Sequence, residues 1–314
     1  MNWRSARSEF ASALLYYKKK EVCDLLTPSL IIQLLVTGVA YGFIYSLVGI
    51  EFTLIWNTTD VVNFAHDKMA TIGAYVFGGT FILGLQWGIV PAIIGSILVL
   101  SLWGLVVSKI IFIPLRNIPE IFTVMATLLL GKICMEGCRL IWGNVPFKVK
   151  GFLNGTYQIG SIVISRACVT IIISSIIIVV ALQFFLYKTK TGKAMRCVSQ
   201  NKMAAEVMGI DVQNVISISV IISMVICCLI GILTIPLLTI QTTMTDMIGL
   251  KGFAAAVIGG FGYLPGSIYG GLMIGILENV AAMIIPSVYK DVVSFIVLIV
   301  FMLFRPKGLT GKSR

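Results

Sequence analysis

Long apolar runs separated by short polar islands organise this chain. A membrane-spanning helix takes roughly 20 mostly apolar residues, and runs of that kind fall near 29–50, 68–87, 89–113, 120–142, 161–187, 213–237, 249–262, 266–285 and 290–304. The pattern predicts an all-α integral membrane protein, a polytopic helical bundle of about eight or nine transmembrane helices. A single membrane domain over 29–304 would lie between a basic segment 1–28 and a basic tail 305–314.

The most polar island, residues 188–211, sits between Ser161–Tyr187 and Val212–Ile240, both almost wholly aliphatic. It carries Lys188, Lys190, Lys193, Arg196, Lys202 and Glu206. Asn201 can cap a short helix through Ala204, Ala205, Glu206 and Met208, with Gly209 placed to end it. An earlier turn, Gly192–Val198, carries Met195 beside Lys193 and Arg196. Two short amphipathic helices with Met and Ala among charges would suit docking to a cytoplasmic partner, because a small apolar contact seats in a groove while charges set its orientation. A solvated basic loop is the plainer alternative.

Basic residues cluster at Lys109 with Arg116, at Lys188–Lys202 and at Arg305–Arg314, all on one side if the spans alternate. The positive-inside rule makes that side the cytoplasm, with the carboxyl terminus there. Lys18, Lys19 and Lys20 favour a cytoplasmic start, whereas alternation places the start outside. The run Ile31–Trp56 exceeds one span, contains Glu51 and leads into Asn57, Thr58, Thr59 and Asp60. A broken or re-entrant element between residues 29 and 66 is therefore expected.

Gly38 and Gly42, Gly266 and Gly270, and Gly271 and Gly275 are each four apart, a spacing that lets helix backbones approach closely. Around Gly259, Gly260, Gly262, Pro265 and Gly266 the breakers are too dense for an unbroken helix, which predicts a turn between two short helices, either an ordinary connection or a discontinuous element near a transport path.

Composition agrees with the membrane reading: 58% hydrophobic, 12% charged, mean hydropathy +1.00. A net charge of +11 would suggest nucleic acid in a soluble chain, but these bases sit in tails and loops, so no nucleic-acid partner is expected. The first apolar run is too long for a cleaved signal and is expected to remain as an anchor. Cys134, Cys168, Cys227 and Cys228 lie within apolar runs, and Cys134 with Cys138 lacks His or carboxylate company, so neither a disulfide framework nor a metal site is implied.

Gly308 to Ser313 imitates the second half of a phosphate loop, but Pro306 stands where the first glycine belongs and no helix can follow. The chain is thus not expected to hydrolyse ATP. His66 has no assignable nucleophile and orienting carboxylate, so no catalytic residue and no cofactor is expected; a helix-end or path-lining role fits it better.

Four stretches resemble the branched-chain amino-acid permeases of ABC importers, of the LivH type: NFAHDKMATIGAYV from Asn63, GKAMRCVSQNKMAAEVMGIDVQNV from Gly192, AAAVIGGFGYLPGSIYGGLMIGILE from Ala254 and YKDVVSFIVLIVFMLFRPKGL from Tyr289. The resemblance implies a subunit in the bacterial cytoplasmic membrane, in contact with lipid, pairing with a LivM-like second permease, two cytoplasmic ATP-binding subunits and an extracytoplasmic substrate-binding protein. It places Met195, Arg196, Ala204, Glu206 and Gly209 at the ATPase contact. Asp67 and Tyr263 depart from the family's usual Gly and Ser and leave the exact substrate open. A path for a neutral zwitterion needs only a few polar groups, for which Asn57, Asn63, His66 and Glu278 are the candidates. The alternative is a stand-alone ion-coupled secondary transporter or channel, with Glu51 and Glu278 as a proton site.

Overall fold

The computed structural model describes residues 28–309 except 150, 161, 284, 287, 288, 306 and 307. The basic amino-terminal segment through residue 27 and the tail from 310 lie outside the described residues. Helices dominate: α1 (Pro28–Thr59), α2 (His66–Tyr75) continued by a π-helical stretch (Val76–Gly84), α3 (Ile89–Val107) with a π turn (Ser108–Phe112), and α4 (Glu120–Trp142). An antiparallel hairpin follows, β1 (Thr156–Ile159) and β2 (Ile162–Ser165), with Thr156 opposite Ser165. Then come α5 (Arg166–Lys188), α6 (Lys190–Gln200), α7 (Lys202–Val207), α8 (Val212–Thr234), α9 (Asp246–Gly259), α10 (Leu264–Ala281) and α11 (Lys290–Phe304).

Among the described residues five helices are long and apolar enough to cross a membrane: α1, α3 with its π turn, α4, α5 and α8. The remaining apolar runs form shorter or divided helices. The run from Ile31 is not broken at Glu51: α1 continues for 32 residues to Thr59. A mid-helix carboxylate needs a partner rather than a break, and Glu51 receives the Ser223 hydroxyl of α8. The interruption comes at residues 60–65, starting at Asp60 in left-handed backbone (φ 59°). The run expected from 161 begins its helix only at Arg166, because Ile162–Ser165 pairs as β2, a departure from an all-α fold.

α1 is the central post, buried along most of its second half. The expected glycine spacing works here: a Cβ on Gly275 would stand 2.4 Å from the Gly42 Cα, so α10 lies backbone to backbone on α1. The glycine turn forms between α9 and α10, and the Asn57 amide donates to the Gly262 carbonyl at 3.0 Å. The Leu309 amide donates to the Ile258 carbonyl at 2.8 Å, so the start of the tail seats against the end of α9. The end of α1, the glycine turn and the α6–α7 elbow thus share one end of the bundle.

Two helices begin far from that end. Asp246 is thirteen residues before Gly259 on α9, about 20 Å at 1.5 Å per residue. It pairs with Lys68 in the first turn of α2 at 2.5 Å, so the amino-terminal ends of α2 and α9 meet inside the bundle.

Candidate functional site

The elbow is built from caps. The Thr189 hydroxyl accepts the Gly192 amide at 3.0 Å to start α6, and the Asn201 carbonyl oxygen of the side chain accepts the Ala204 amide at 3.0 Å to start α7. Gly209 ends α7 at φ 81°, a left-handed conformation that glycine adopts without strain. The cap and stop therefore form where the sequence predicts. Met195, however, is core rather than surface: with Val198 three residues on, it forms the apolar face of α6 and is buried. Arg196 is also turned inward, donating to the Leu186 carbonyl at 3.1 Å and lying over the Tyr187 ring.

What α7 presents outward is Ala204 and Glu206, together with Met203, Val207 and Met208, which are 79%, 87% and 81% exposed. Its inner side is fastened. Lys202 donates to the Thr59 carbonyl at 2.9 Å and pairs with Asp60 at 2.9 Å, while Glu206 lies 3.8 Å from Arg116. The elbow thus holds the last residues of α1 and the start of the linker to α2.

That linker turns inward. The Asn63 side chain accepts the Ala65 amide at 3.0 Å, forming a turn just before α2, and the Phe64 amide donates to the Thr127 hydroxyl of α4 at 3.3 Å. His66, the first residue of α2, is 5% exposed, with its ring 3.9 Å from that of Phe52. Nδ1 lies 3.2 Å from the Asn63 carbonyl, which only an N–H can satisfy, so Nε2 carries the lone pair of the neutral ring. Glu51 Oε2, Asn63 Nδ2 and His66 Nε2 are buried and have no hydrogen-bond partner among the described residues.

Beside His66 opens a groove of about 290 Å³, walled by Phe52, Phe64 and Phe253 and edged by Asp67, Lys68, Lys132 and Asp246. Gly249 of α9 is required for its shape, since a Cβ there would stand 3.0 Å from His66 Nε2 and 2.7 Å from the Asp67 Cβ. The Thr245 hydroxyl bonds both the Thr71 hydroxyl and the Asp67 carbonyl, locking the two helix starts together.

The four expected path residues do not converge. Asn63 and His66 are neighbours, but Asn57 is at the glycine turn. Glu278 belongs to a separate buried network, 2.8 Å from the Lys251 ammonium, accepting from the Tyr45 hydroxyl at 3.0 Å, with Asp291 2.6 Å from Lys251. Tyr45 is twelve residues, about 18 Å, before Asn57 along α1. Among the helix-break residues, Gly259 and Gly266 are where the chains cross: a Cβ on either would stand 2.2 Å from the other's backbone. Gly260 and Gly262 take φ 103° and 95°, and Pro265 lies in the first turn of α10.

Sequence reasoning missed Lys68, Lys132, Asp246 and Lys251. For the three lysines the signal was present, since a basic residue within an apolar run faces a bundle interior or an aqueous cavity. Attention to carboxylates alone passed over it.

The family described as branched-chain amino acid transport system, permease component, matches residues 34–302. The chain belongs to this family. It is 28% identical over 294 residues to the high-affinity branched-chain amino acid transport system permease protein LivH of Salmonella typhimurium, covering 90% of this chain and 96% of that protein. It is 29% identical over 294 residues to the permease protein BraD of Pseudomonas aeruginosa, with the same coverage. Among solved structures, PsaBC from Streptococcus pneumoniae in complex with Fab aligns over 92% of this chain and 96% of its own at 14% identity and a TM-score of 0.49.

Proposed function

We propose that this chain is the transmembrane permease subunit of an ABC importer that moves branched-chain amino acids across the bacterial cytoplasmic membrane. It is a multi-pass transport component and not an enzyme, as the family to which it belongs is one of transport permeases. ATP-hydrolysing and substrate-binding activities reside in partners: two cytoplasmic ATP-binding subunits, an extracytoplasmic binding protein and a LivM-like second permease. The carboxyl-terminal end and the elbow face the cytoplasm, in agreement with the basic residues gathered there.

The observation that carries the reading is the two-sided elbow. Its outer side presents Met203, Val207 and Met208, a small apolar knob suited to a groove on an ATPase. Its inner side, through Lys202, grips Thr59 and Asp60 where α1 yields to the linker. Closure of the ATPases would displace the knob, and the Lys202 contact would pass that displacement to the linker and the start of α2.

Val207→Asp tests this. In proteoliposomes containing the whole importer, leucine uptake should fall at least about tenfold, because a carboxylate buried in an apolar groove is left unpaired, while the melting temperature of the permease stays unchanged. Uptake at the parent rate would remove α7 from the contact. Uptake abolished by an uncoupler and indifferent to ATP depletion would instead establish the ion-coupled secondary transporter.

A further inference from the structure

We infer that the groove at the meeting point of α2, α4 and α9 is a station for the zwitterionic head and aliphatic side chain of a free α-amino acid. The inference rests on the importer reading and adds to it the place where the permease itself holds substrate.

The first support is Lys132. It lies twelve residues into the 23-residue α4, about 18 Å from the Glu120 end, and it is exposed. No ion pair to it forms among the described residues. An ammonium on a mid-span face is strongly disfavoured against lipid, so this face looks onto water or a partner subunit. α4 is held against α2 there, where a Cβ on Gly131 would lie 3.0 Å from the Lys68 Cγ.

The charges are divided in the way an amino acid's are. Lys68 sits 3.2 Å from Asp67 and 2.5 Å from Asp246, so one ammonium serves two carboxylates and that edge keeps a net negative charge. Lys132 supplies the positive edge of the same groove. Asp67 and Asp246 already occupy the first turns of α2 and α9, so the helix ends do not take the ligand carboxylate; Lys132 does. The ligand ammonium goes to the acidic edge.

His66 provides an independent indication. His66 lines the groove, and its Nε2, on a ring 95% buried, is an acceptor without a hydrogen-bond partner among the described residues. Leaving such an atom unmatched is unfavourable unless water or a ligand completes it. The rings of Phe52, Phe64 and Phe253 with Leu128 and Leu250 offer an apolar surface for a branched aliphatic chain. At about 290 Å³ the groove is at the lower limit of small-molecule sites, which run roughly 300–1,000 Å³. A few well-placed charges on an open groove give the weak hold that passage requires.

The test is protection from alkylation. Leu128 is 48% exposed and lines the groove, so a Leu128→Cys importer in proteoliposomes is labelled with N-ethylmaleimide, the parent protein giving the background. L-leucine should slow labelling, whereas 4-methylpentanoate and isoamylamine, each carrying half of the zwitterion, should protect far less. In the Lys132→Gln background the half-protecting leucine concentration should rise about tenfold, the loss of one hydrogen bond to a charged group, and Lys132→Arg should restore it. Absence of leucine protection, or equal protection with Lys132→Gln, overturns the assignment. ATP-driven leucine uptake by the same vesicles separates the two readings: uptake without protection removes the groove alone, and absence of both removes the importer as well.

Discussion

Two polar clusters are buried in this bundle, and they are paired to very different degrees. In the Lys251 cluster, Glu278 Oε1 faces the Lys251 and Lys290 ammonium groups, and Oε2 receives the Tyr45 and Ser294 hydroxyls. Lys251 also binds Asp291, so α1, α9, α10 and α11 are joined through one saturated, charge-balanced knot. In the Glu51 cluster, Ser223 serves one carboxylate oxygen while Glu51 Oε2, Asn63 Nδ2 and His66 Nε2 have no partner among the described residues. A saturated network fixes helices; an unsaturated one leaves capacity for water or substrate. The incomplete cluster adjoins the groove and the linker held by the elbow, and the complete one lies apart from both. Pairing therefore distinguishes the part of the bundle that clamps helices from the part proposed to meet substrate.

The largest expected effect comes from breaking the saturated knot. Lys251→Met takes from Glu278 its buried ion-pair partner, leaving only the half-exposed Lys290 at 3.5 Å, and should destabilise the protein by about 3–5 kcal/mol, read by thermal unfolding in detergent. Adding Glu278→Leu should recover most of that loss, since both fully buried charges are then gone and the remaining Asp291 and Lys290 are partly exposed. If Lys251→Met alone shifts stability by less than about 1 kcal/mol, the knot is not a clamp and the contrast fails.

An intermediate effect is expected at Ser223→Ala, which removes the hydroxyl that donates to Glu51 and should lower stability by about 1–3 kcal/mol. The variant sharpens the comparison because it makes an incomplete cluster more so. Unchanged unfolding would mean that water already serves both oxygens of Glu51. The smallest stability effect belongs to His66→Asn, whose amide N–H can take the place of Nδ1 toward the Asn63 carbonyl while Nε2, which has no hydrogen-bond partner among the described residues, is removed: unfolding should move by about 1 kcal/mol while uptake falls several-fold. Parent-like uptake would return His66 to a helix-start role without contact to substrate.

Local signals in the sequence were reliable where the physics is local. The Asn201 cap, the Gly209 stop, the glycine turn at Gly259–Gly266 and the close α1–α10 approach at Gly42 and Gly275 all depend on residues within a few positions or on a small-residue spacing. Met195 was misplaced because a single short helix does not announce which of its faces the neighbouring helix covers. The interruption expected between residues 29 and 66 was not localised, and Glu51 could not be assigned to an unbroken helix because its partner, Ser223, is 172 positions away. Glu278 was expected on a path for the same reason: Lys251 and Tyr45, 27 and 233 positions distant, absorb it.

The sequence by itself determined that this chain lives in a membrane, where its main helices lie, and which polar island bends outward between them. Those follow from the free energy of moving apolar side chains and backbone groups out of water, which is set residue by residue along the chain. Only the tertiary structure decided which buried charges neutralise one another and which polar atoms stay open, because an ion pair depends on the few ångströms separating two side chains rather than on their distance in sequence.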